Sequence, residues 1–322
     1  MIQSSTQRPW TLNRGAIYRD VYDKRIDDRP VEGIASLARA YVKSDKLVFA
    51  SASQQHCALR DGIFLLEIPT AMALSTCDTF ASQFYRGPTS KPYGEFRTIT
   101  AERFEDPLLG FHERINQIEQ FLLERRFWKR DYPEEVERSG EMLTTLARTI
   151  LRSVLSLTDI PQDVWALATG GCSEAAGSYH LTFNHYRPAF AGIGLSSHKD
   201  DGFVTILRTT ASGLEINRQE RWELIQSDPS CFIVNFGLAM EVLTRESAQP
   251  IAAILHRVRH QTCDRYSFGH FSSSFCKPGA AAGIYGFSTN GGLRLICNSR
   301  NLIDANDEEI YQGTQVFKEL GL

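Results

Sequence analysis

The sequence predicts an α+β fold: a double-stranded β-helix (jelly roll) core with an N-terminal α/β extension and supporting helices. Three observations point there. From about Gly177 onward, short apolar strand patterns follow one another at fairly even spacing, separated by Gly, Asn and Asp turns, as in sandwiches and barrels. Before them lies one long amphipathic repeat between Pro133 and Leu157. The remaining first half alternates helical and strand patterns.

The elements are expected in this order. Residues Pro30 to Tyr41 place Val31, Ile34, Leu37, Ala38 and Tyr41 at helical steps and read as a short amphipathic helix, and Lys46 to Ala50 reads as a strand. Asp61-Gly62 precedes Ile63-Phe64-Leu65-Leu66, a buried strand, after which Pro69 opens a helix toward Phe84. Leu109 to Trp128, with Phe111, Ile115, Ile118, Phe121 and Leu122 among charged residues, reads as a second structural helix. In the long repeat, Leu143, Leu146, Ala147, Ile150, Leu151, Val154 and Leu155 recur at steps of three and four, and Pro133-Glu134-Glu135 suits a helix N-terminus in backbone geometry and dipole sign. The strands expected next are Ser178 to Tyr186, Gly202 to Leu207, Gly213 to Asn217, Trp222 to Leu224, Cys231 to Phe236, Ile254 to Val258 and Arg265 to Phe271. Asn290-Gly291 marks a further hairpin turn. Glycine and serine around Gly279 to Gly292 suggest a mobile loop able to act as a lid.

A chain of 322 residues, 42% hydrophobic and 23% charged, can bury a substantial core, so disorder is expected only at the ends. All-β units of this size commonly form one domain. A single catalytic domain, 1–322, is expected, with 1–176 as N-terminal α/β and helical support, 177–275 as the jelly-roll core and 276–322 as C-terminal lid and helix. The net charge of -3 comes from 35 basic and 38 acidic residues without long runs of one sign, which argues against nucleic acid or an anionic membrane as partner and for a small-molecule substrate. Seven cysteines without a Cys-x-x-Cys pair suit neither a disulfide framework nor a thiolate zinc site. No signal-like or membrane-spanning segment is evident, so a cytoplasmic protein is expected; the oligomeric state is not legible.

His198, Asp200 and His256 carry the chemistry. On a strand, alternate side chains share a face, so Ser197-His198-Lys199-Asp200 aims His198 and Asp200 together, and His256 closes the set from another strand. Two imidazoles and one carboxylate leave the opposite positions of an iron(II) ion open, the arrangement of non-haem iron oxygenases. Asp201 could also reach the metal if the strand were bulged. Nine residues beyond His256 comes Arg265, followed by Ser267. A guanidinium suits a carboxylate through two parallel hydrogen bonds. Phe203, Val204 and Ile206 read as barrel core. His260 shares a strand face with His256 and His180 one with Tyr186; either could enter the pocket or be a satisfied structural histidine, while His56, His112, His185 and His270 carry no supporting spacing.

These residues resemble the iron(II)- and 2-oxoglutarate-dependent oxygenases of the isopenicillin N synthase-like family. The likeness runs from Asn184-His185-Tyr186-Arg187-Pro188 through His198-Lys199-Asp200-Asp201-Gly202, Gly213-Leu214-Glu215-Ile216, Trp222, Val234-Asn235-Phe236-Gly237 and Leu255-His256-Arg257-Val258 to Phe271. The resemblance implies that His198, Asp200 and His256 hold Fe(II), and that Arg265 and Ser267 grip the distal carboxylate of 2-oxoglutarate. Tyr186 and, on the same strand face, Asn184 would complete that cosubstrate site, with a core tyrosine as the alternative for Tyr186. The implied reaction consumes O2 and releases succinate and CO2 while an unactivated C-H bond of a small molecule is hydroxylated, desaturated or cyclised, an activity expected in secondary metabolism. Two departures stand out: the stretch Gly237 to His256 is slightly long, and Leu238 stands where many plant relatives have aspartate.

Two other readings remain open at this level. Iron oxidases of the same fold carry the same ligands and Arg-x-Ser pair without using 2-oxoglutarate. A non-redox jelly roll holding zinc or a small ligand would give Arg265, Ser267 and Tyr186 no joint role. Specificity is expected from loops and termini, here Tyr85 to Phe96 and Asp304 to Leu322.

Overall fold

In the computed structural model, residues 28–311 are described. The strands are β1 (Gly33–Ile34), β2 (Arg39–Lys43), β3 (Lys46–Phe49), β4 (Ile63–Glu67), β5 (Gly110–Glu113), β6 (Ile118–Glu124), β7 (Ser178–Tyr186), β8 (Leu195–His198), β9 (Val204–Thr209), β10 (Leu214–Arg218), β11 (Arg221–Leu224), β12 (Cys231–Phe236), β13 (Leu255–Val258), β14 (Arg265–Ser273), β15 (Cys276–Lys277), β16 (Ala280–Ala281), β17 (Gly283–Ser288) and β18 (Gly292–Asn298). The helices are α1 (Ala52–Asp61), α2 (Ser75–Ala81), α3 (Arg125–Asp131), α4 (Glu134–Leu155), α5 (Trp165–Ala168), α6 (Leu238–Thr244) and α7 (Ser299–Tyr311).

A five-stranded sheet in the order β1-β11-β10-β13-β8 and a nine-stranded sheet in the order β3-β2-β4-β12-β9-β14-β7-β6-β5 make up the jelly-roll core of a mixed α+β fold. Alternation in β7 shows how the larger sheet is used. Tyr179, Leu181 and Phe183 point into the main apolar core, while His180, Thr182, Asn184 and Tyr186 line a cavity on the other face. In β14 the same logic puts Phe268 in the core and Arg265, Ser267, Phe271 and Ser273 on the cavity.

Helix α4 supports that outer face. Leu143, Ala147, Ile150, Leu151, Val154 and Leu155 are almost wholly buried, and the helix packs on β3, β9 and β14. Burying each large aliphatic chain contributes roughly 1.5–3 kcal/mol against leaving it exposed. Glu134, Glu135 and Glu137 in the first turn complement the helix dipole. Gly62 ends α1 with φ 74, donating its N–H to the Ala58 carbonyl, so the chain reverses into β4 through a left-handed residue.

Several expectations on the first half need correction. Pro30 to Tyr41 contains no helix: β1 pairs in parallel with β11, β2 pairs with β3 and β4, and Ile34 is 65% exposed, so sheet pairing overrides the helical spacing. Leu109 to Trp128 is the hairpin β5–β6 followed by α3, rather than one helix. Strand β6 lies inside the large sheet with both faces covered, and such a strand reads as a continuous apolar run that periodicity cannot distinguish from a helix. The helix expected at Pro69 starts only at Ser75. Strands β2 to β6 also make five of the nine strands of the large sheet, so residues expected only to support the core help to build it. The glycine- and serine-rich stretch Gly279 to Gly292 is not a loop but belongs to two hairpins, β15–β16 and β17–β18, with Asn290 and Gly291 in the second turn. The additional length after Gly237 forms α6, which packs on β17.

Candidate metal and cosubstrate site

Two histidines approach from the small sheet. In the β13–β8 pairing, His256 sits directly opposite His198, and the ring centroids are 4.3 Å apart. Each ring is oriented by its own backbone: His198 Nδ1 lies 2.8 Å from the Ser196 carbonyl and His256 Nδ1 3.2 Å from the Ile254 carbonyl. A carbonyl only accepts, so both Nδ1 atoms carry a proton and the two Nε2 atoms are turned toward each other and Asp200. Burial, helped by the neighbouring His198, pushes His256 down to about 4, so its ring is neutral near pH 7.

Asp200 completes the set, though not as a strand residue. Strand β8 stops at His198, and the following loop is held by α6, whose first amides, Leu238 and Ala239, donate to the carbonyls of Asp200 and Asp201. Asp200 Oδ1 lies 3.6 Å from Nε2 of both His198 and His256. Oδ2 is already used, accepting from Thr205 Oγ1 at 2.6 Å and Asn235 Nδ2 at 2.7 Å. Burial alone would raise this carboxyl; the facing imidazoles and the Thr205 hydroxyl outweigh it and hold Asp200 well below the usual carboxylate range. Three buried ligand atoms thus gather within 4.8 Å of one another, the one such grouping among the described residues. Two imidazole nitrogens and one ionised oxygen, with the second oxygen tied off, match the donor set of an iron(II) site with open positions. Asp201 stands outside this group; its carboxyl faces the cavity and burial pushes it up to about 6.

The large sheet supplies a buried guanidinium. Tyr186 pairs with Arg265 and Asn184 with Ser267 across β7 and β14. Arg265 is 3% exposed, its Cζ lies 4.7 Å from the Tyr186 ring centre, and its Nε donates to the Ser212 carbonyl at 3.2 Å. Its Nη1 is buried without any partner. A guanidinium nitrogen left this way is costly unless an acceptor arrives, and a carboxylate lying against Arg265 and Ser267 would satisfy it. Asn184 Oδ1 accepts from Gln120 Nε2 at 3.0 Å, which fixes that amide on the same wall. Burial raises the Tyr186 phenol above its ordinary range, with Arg265 opposing.

Both groups open on one cavity of about 170 Å³ between the sheets. His180 lines it; His260 does not, being exposed with Nδ1 on the Gly192 carbonyl. Phe203, Val204 and Ile206 are core residues, each 1% exposed. Sequence reading missed Thr205 and Asn235, whose hydroxyl and amide orient Asp200; Asn235 stood in a motif quoted only as a pattern and Thr205 among residues read as barrel core, and nothing local marks them as its partners. It also missed Arg114 and Gln120, which belong to segments outside those motifs. In the region Asp304 to Leu322, Asn306, Asp307, Ile310 and Tyr311 of α7 line the cavity, while residues 312–322 lie outside the described ones.

Comparison with known proteins agrees with this architecture. Residues 178–274 match the family model of the 2OG-Fe(II) oxygenase superfamily. Protein DMR6-LIKE OXYGENASE 1 of Arabidopsis thaliana is 28% identical over 192 residues, 56% of this chain and 54% of that protein. Gibberellin 2-beta-dioxygenase 5 of Oryza sativa subsp. japonica is 33% identical over 197 residues, 55% of this chain and 57% of that protein. The chain thus spans about half the length of these curated relatives. The crystal structure of JOX2 in complex with 2OG, Fe and JA superposes with a TM-score of 0.64 at 19% identity, covering 93% of this chain and 94% of that one. Over residues 178–274 the chain is thus similar to the 2OG-Fe(II) oxygenase superfamily, and its fold is that of the JOX2 structure.

Proposed function

We propose that the protein is a non-haem iron(II)- and 2-oxoglutarate-dependent oxygenase that oxidises an unactivated C-H bond of a small molecule and releases succinate and CO2. The observation that carries this reading is the convergence of two imidazole Nε2 atoms on one oxygen of Asp200, beside a buried guanidinium with an unpartnered nitrogen. In this reading His198, Asp200 and His256 hold the iron, and Arg265 with Ser267 binds the distal carboxylate of 2-oxoglutarate while Tyr186 and Asn184 shape its wall. Bound iron(II) supplies the redox chemistry that couples decarboxylation of 2-oxoglutarate by O2 to oxidation of the substrate. The chain supplies positioning: the Ser196 and Ile254 carbonyls orient the imidazoles, and Thr205 and Asn235 hold Asp200 ionised with a single free oxygen. A cytoplasmic location, supported by seven free thiols, and a place in secondary metabolism, supported by small-molecule relatives such as the gibberellin dioxygenase, belong to the same proposal.

The test is spectroscopic. Anaerobic iron(II) protein should develop a visible charge-transfer band on addition of 2-oxoglutarate and, once oxygen and substrate are admitted, form succinate. Absence of both the band and succinate would reject the cosubstrate role and leave an iron oxidase that draws its electrons from the substrate.

A further inference from the structure

Beyond the iron and the diacid, the cavity has a third polar station, on α7. Asn306 is 3% exposed and faces the cavity, and its Nδ2 donates to the Lys199 carbonyl at 3.1 Å. Because that carbonyl only accepts, the amide orientation is determined: Oδ1 is the atom left over, and it is buried without a partner. The same amide steadies the Asp201 carboxyl. The amide therefore hangs from the backbone that links His198 to Asp200, on the lining of the cavity that holds both. His180 in β7 lines the same cavity and makes no protein hydrogen bond among the described residues.

We propose that the substrate is a non-anionic, largely apolar small molecule that donates a hydrogen bond from a hydroxyl or N–H group to Asn306 Oδ1, with His180 of the same cavity as the second polar contact. This rests on the oxygenase reading above and names the substrate class of that site. The charge balance of the cavity supports it. Apart from Arg265, the cation on its lining is Arg114, which is already engaged: it lies 3.2 Å from Asp307, donates to Gln120 Oε1 at 2.9 Å, and stacks on Tyr311 at 3.9 Å. An anionic substrate would have to break that arrangement to gain a counter-charge. Burial pushes His180 down to about 4, so its ring is neutral near pH 7 and offers one donor and one acceptor rather than a charge. Leu122, Phe271, Ile303 and Ile310 supply the apolar walls for the rest of the molecule.

The experiment compares cinnamyl alcohol, its methyl ether and cinnamate as probes of the full chain. Binding is read from perturbation of the charge-transfer band of the anaerobic iron(II)–2-oxoglutarate protein, and independently by saturation-transfer NMR on the zinc(II)–2-oxoglutarate protein, which does not turn over. The alcohol should bind about tenfold more tightly than the ether, the effect of one buried hydrogen bond, with cinnamate weakest. Asn306→Leu should bring the alcohol down to the level of the ether while 2-oxoglutarate affinity stays within about twofold. If Asn306→Leu fails to fold, as its melting curve would show, His180→Leu should weaken the alcohol and leave the ether unchanged. Equal binding of alcohol and ether, cinnamate binding as tightly as the alcohol, or no binding of any probe would each overturn the proposal. So would an alcohol preference that survives the Asn306 substitution, or the His180 substitution where that one is used. Failure of the oxygenase reading shows separately, as a missing charge-transfer band before any probe is added.

Discussion

The two sheets contribute different chemistry to one cavity. The small sheet brings both imidazoles, His198 and His256, in directly opposed register, each ring locked by a carbonyl of its own strand or the residues leading into it. The large sheet brings Arg265 and Ser267, the proposed anion anchor, and also the two donors, Thr205 and Asn235, that orient Asp200. Asp200 belongs to neither sheet; it sits in the loop between β8 and β9 and joins them. The difference teaches that the metal set is not a local motif of one strand, because its carboxylate is aimed by residues of the opposite sheet. Separating the sheets slightly would disperse the set while leaving every ligand in the chain.

The comparison can be broken most severely at the joint. Asp200→Ala removes the one anion that faces both imidazoles, and the expected outcome is no iron retained after gel filtration and no succinate above background. Next in size, Arg265→Met acts on the large sheet alone: the Kd for 2-oxoglutarate should rise by about tenfold to a hundredfold, as for a hydrogen bond to a charged group, with iron stoichiometry unchanged. If iron were lost as well, the division between sheets would be wrong. Asn235→Leu sharpens the point further, since it touches no ligand atom facing the metal yet should weaken iron affinity by about tenfold, at the lower end of what lost supporting hydrogen bonds cost a metal site. Titration with iron(II) under anaerobic conditions would measure it.

The smallest expected effect concerns pH. Burial holds His112 and His180 at about 4 and His270 at about 3, against 6.5 in an unfolded chain. Between those values the unfolded state binds more protons than the folded one, so stability must fall as pH drops from about 6.5 toward 4. Asp201, raised to about 6, opposes this with one proton over part of the range. The melting temperature of the protein should therefore decline between pH 7 and pH 5, and His180→Leu should make the decline shallower. A melting temperature that rises on acidification would contradict this.

How much of this was legible follows from where each signal is stored. Strands such as Ser178–Tyr186 and Arg265–Ser273 could be read because they turn one face to the cavity and bury the other in the core, giving alternation. Cys231–Phe236 was readable for a different reason, a short β-rich run between turn residues. The hairpin β5–β6 was misread as a helix because both its neighbours and its packing are supplied by distant segments. His198, Asp200 and His256 stood out through spacing and residue type, while Thr205 and Asn235 did not, since a hydroxyl and an amide acquire their role only from what lies opposite.

The residue order alone determined the donor chemistry: two imidazoles, one carboxylate, one guanidinium and one serine hydroxyl at separations suited to strands of a jelly roll. Only the tertiary structure decided which oxygen of Asp200 is free, which histidine tautomers face it, that His260 stays on the surface, and that α7 closes the cavity with Asn306. The physical reason is that residue type and strand period are local properties of the chain, whereas tautomer, burial and hydrogen-bond completion depend on groups brought together from far apart in sequence.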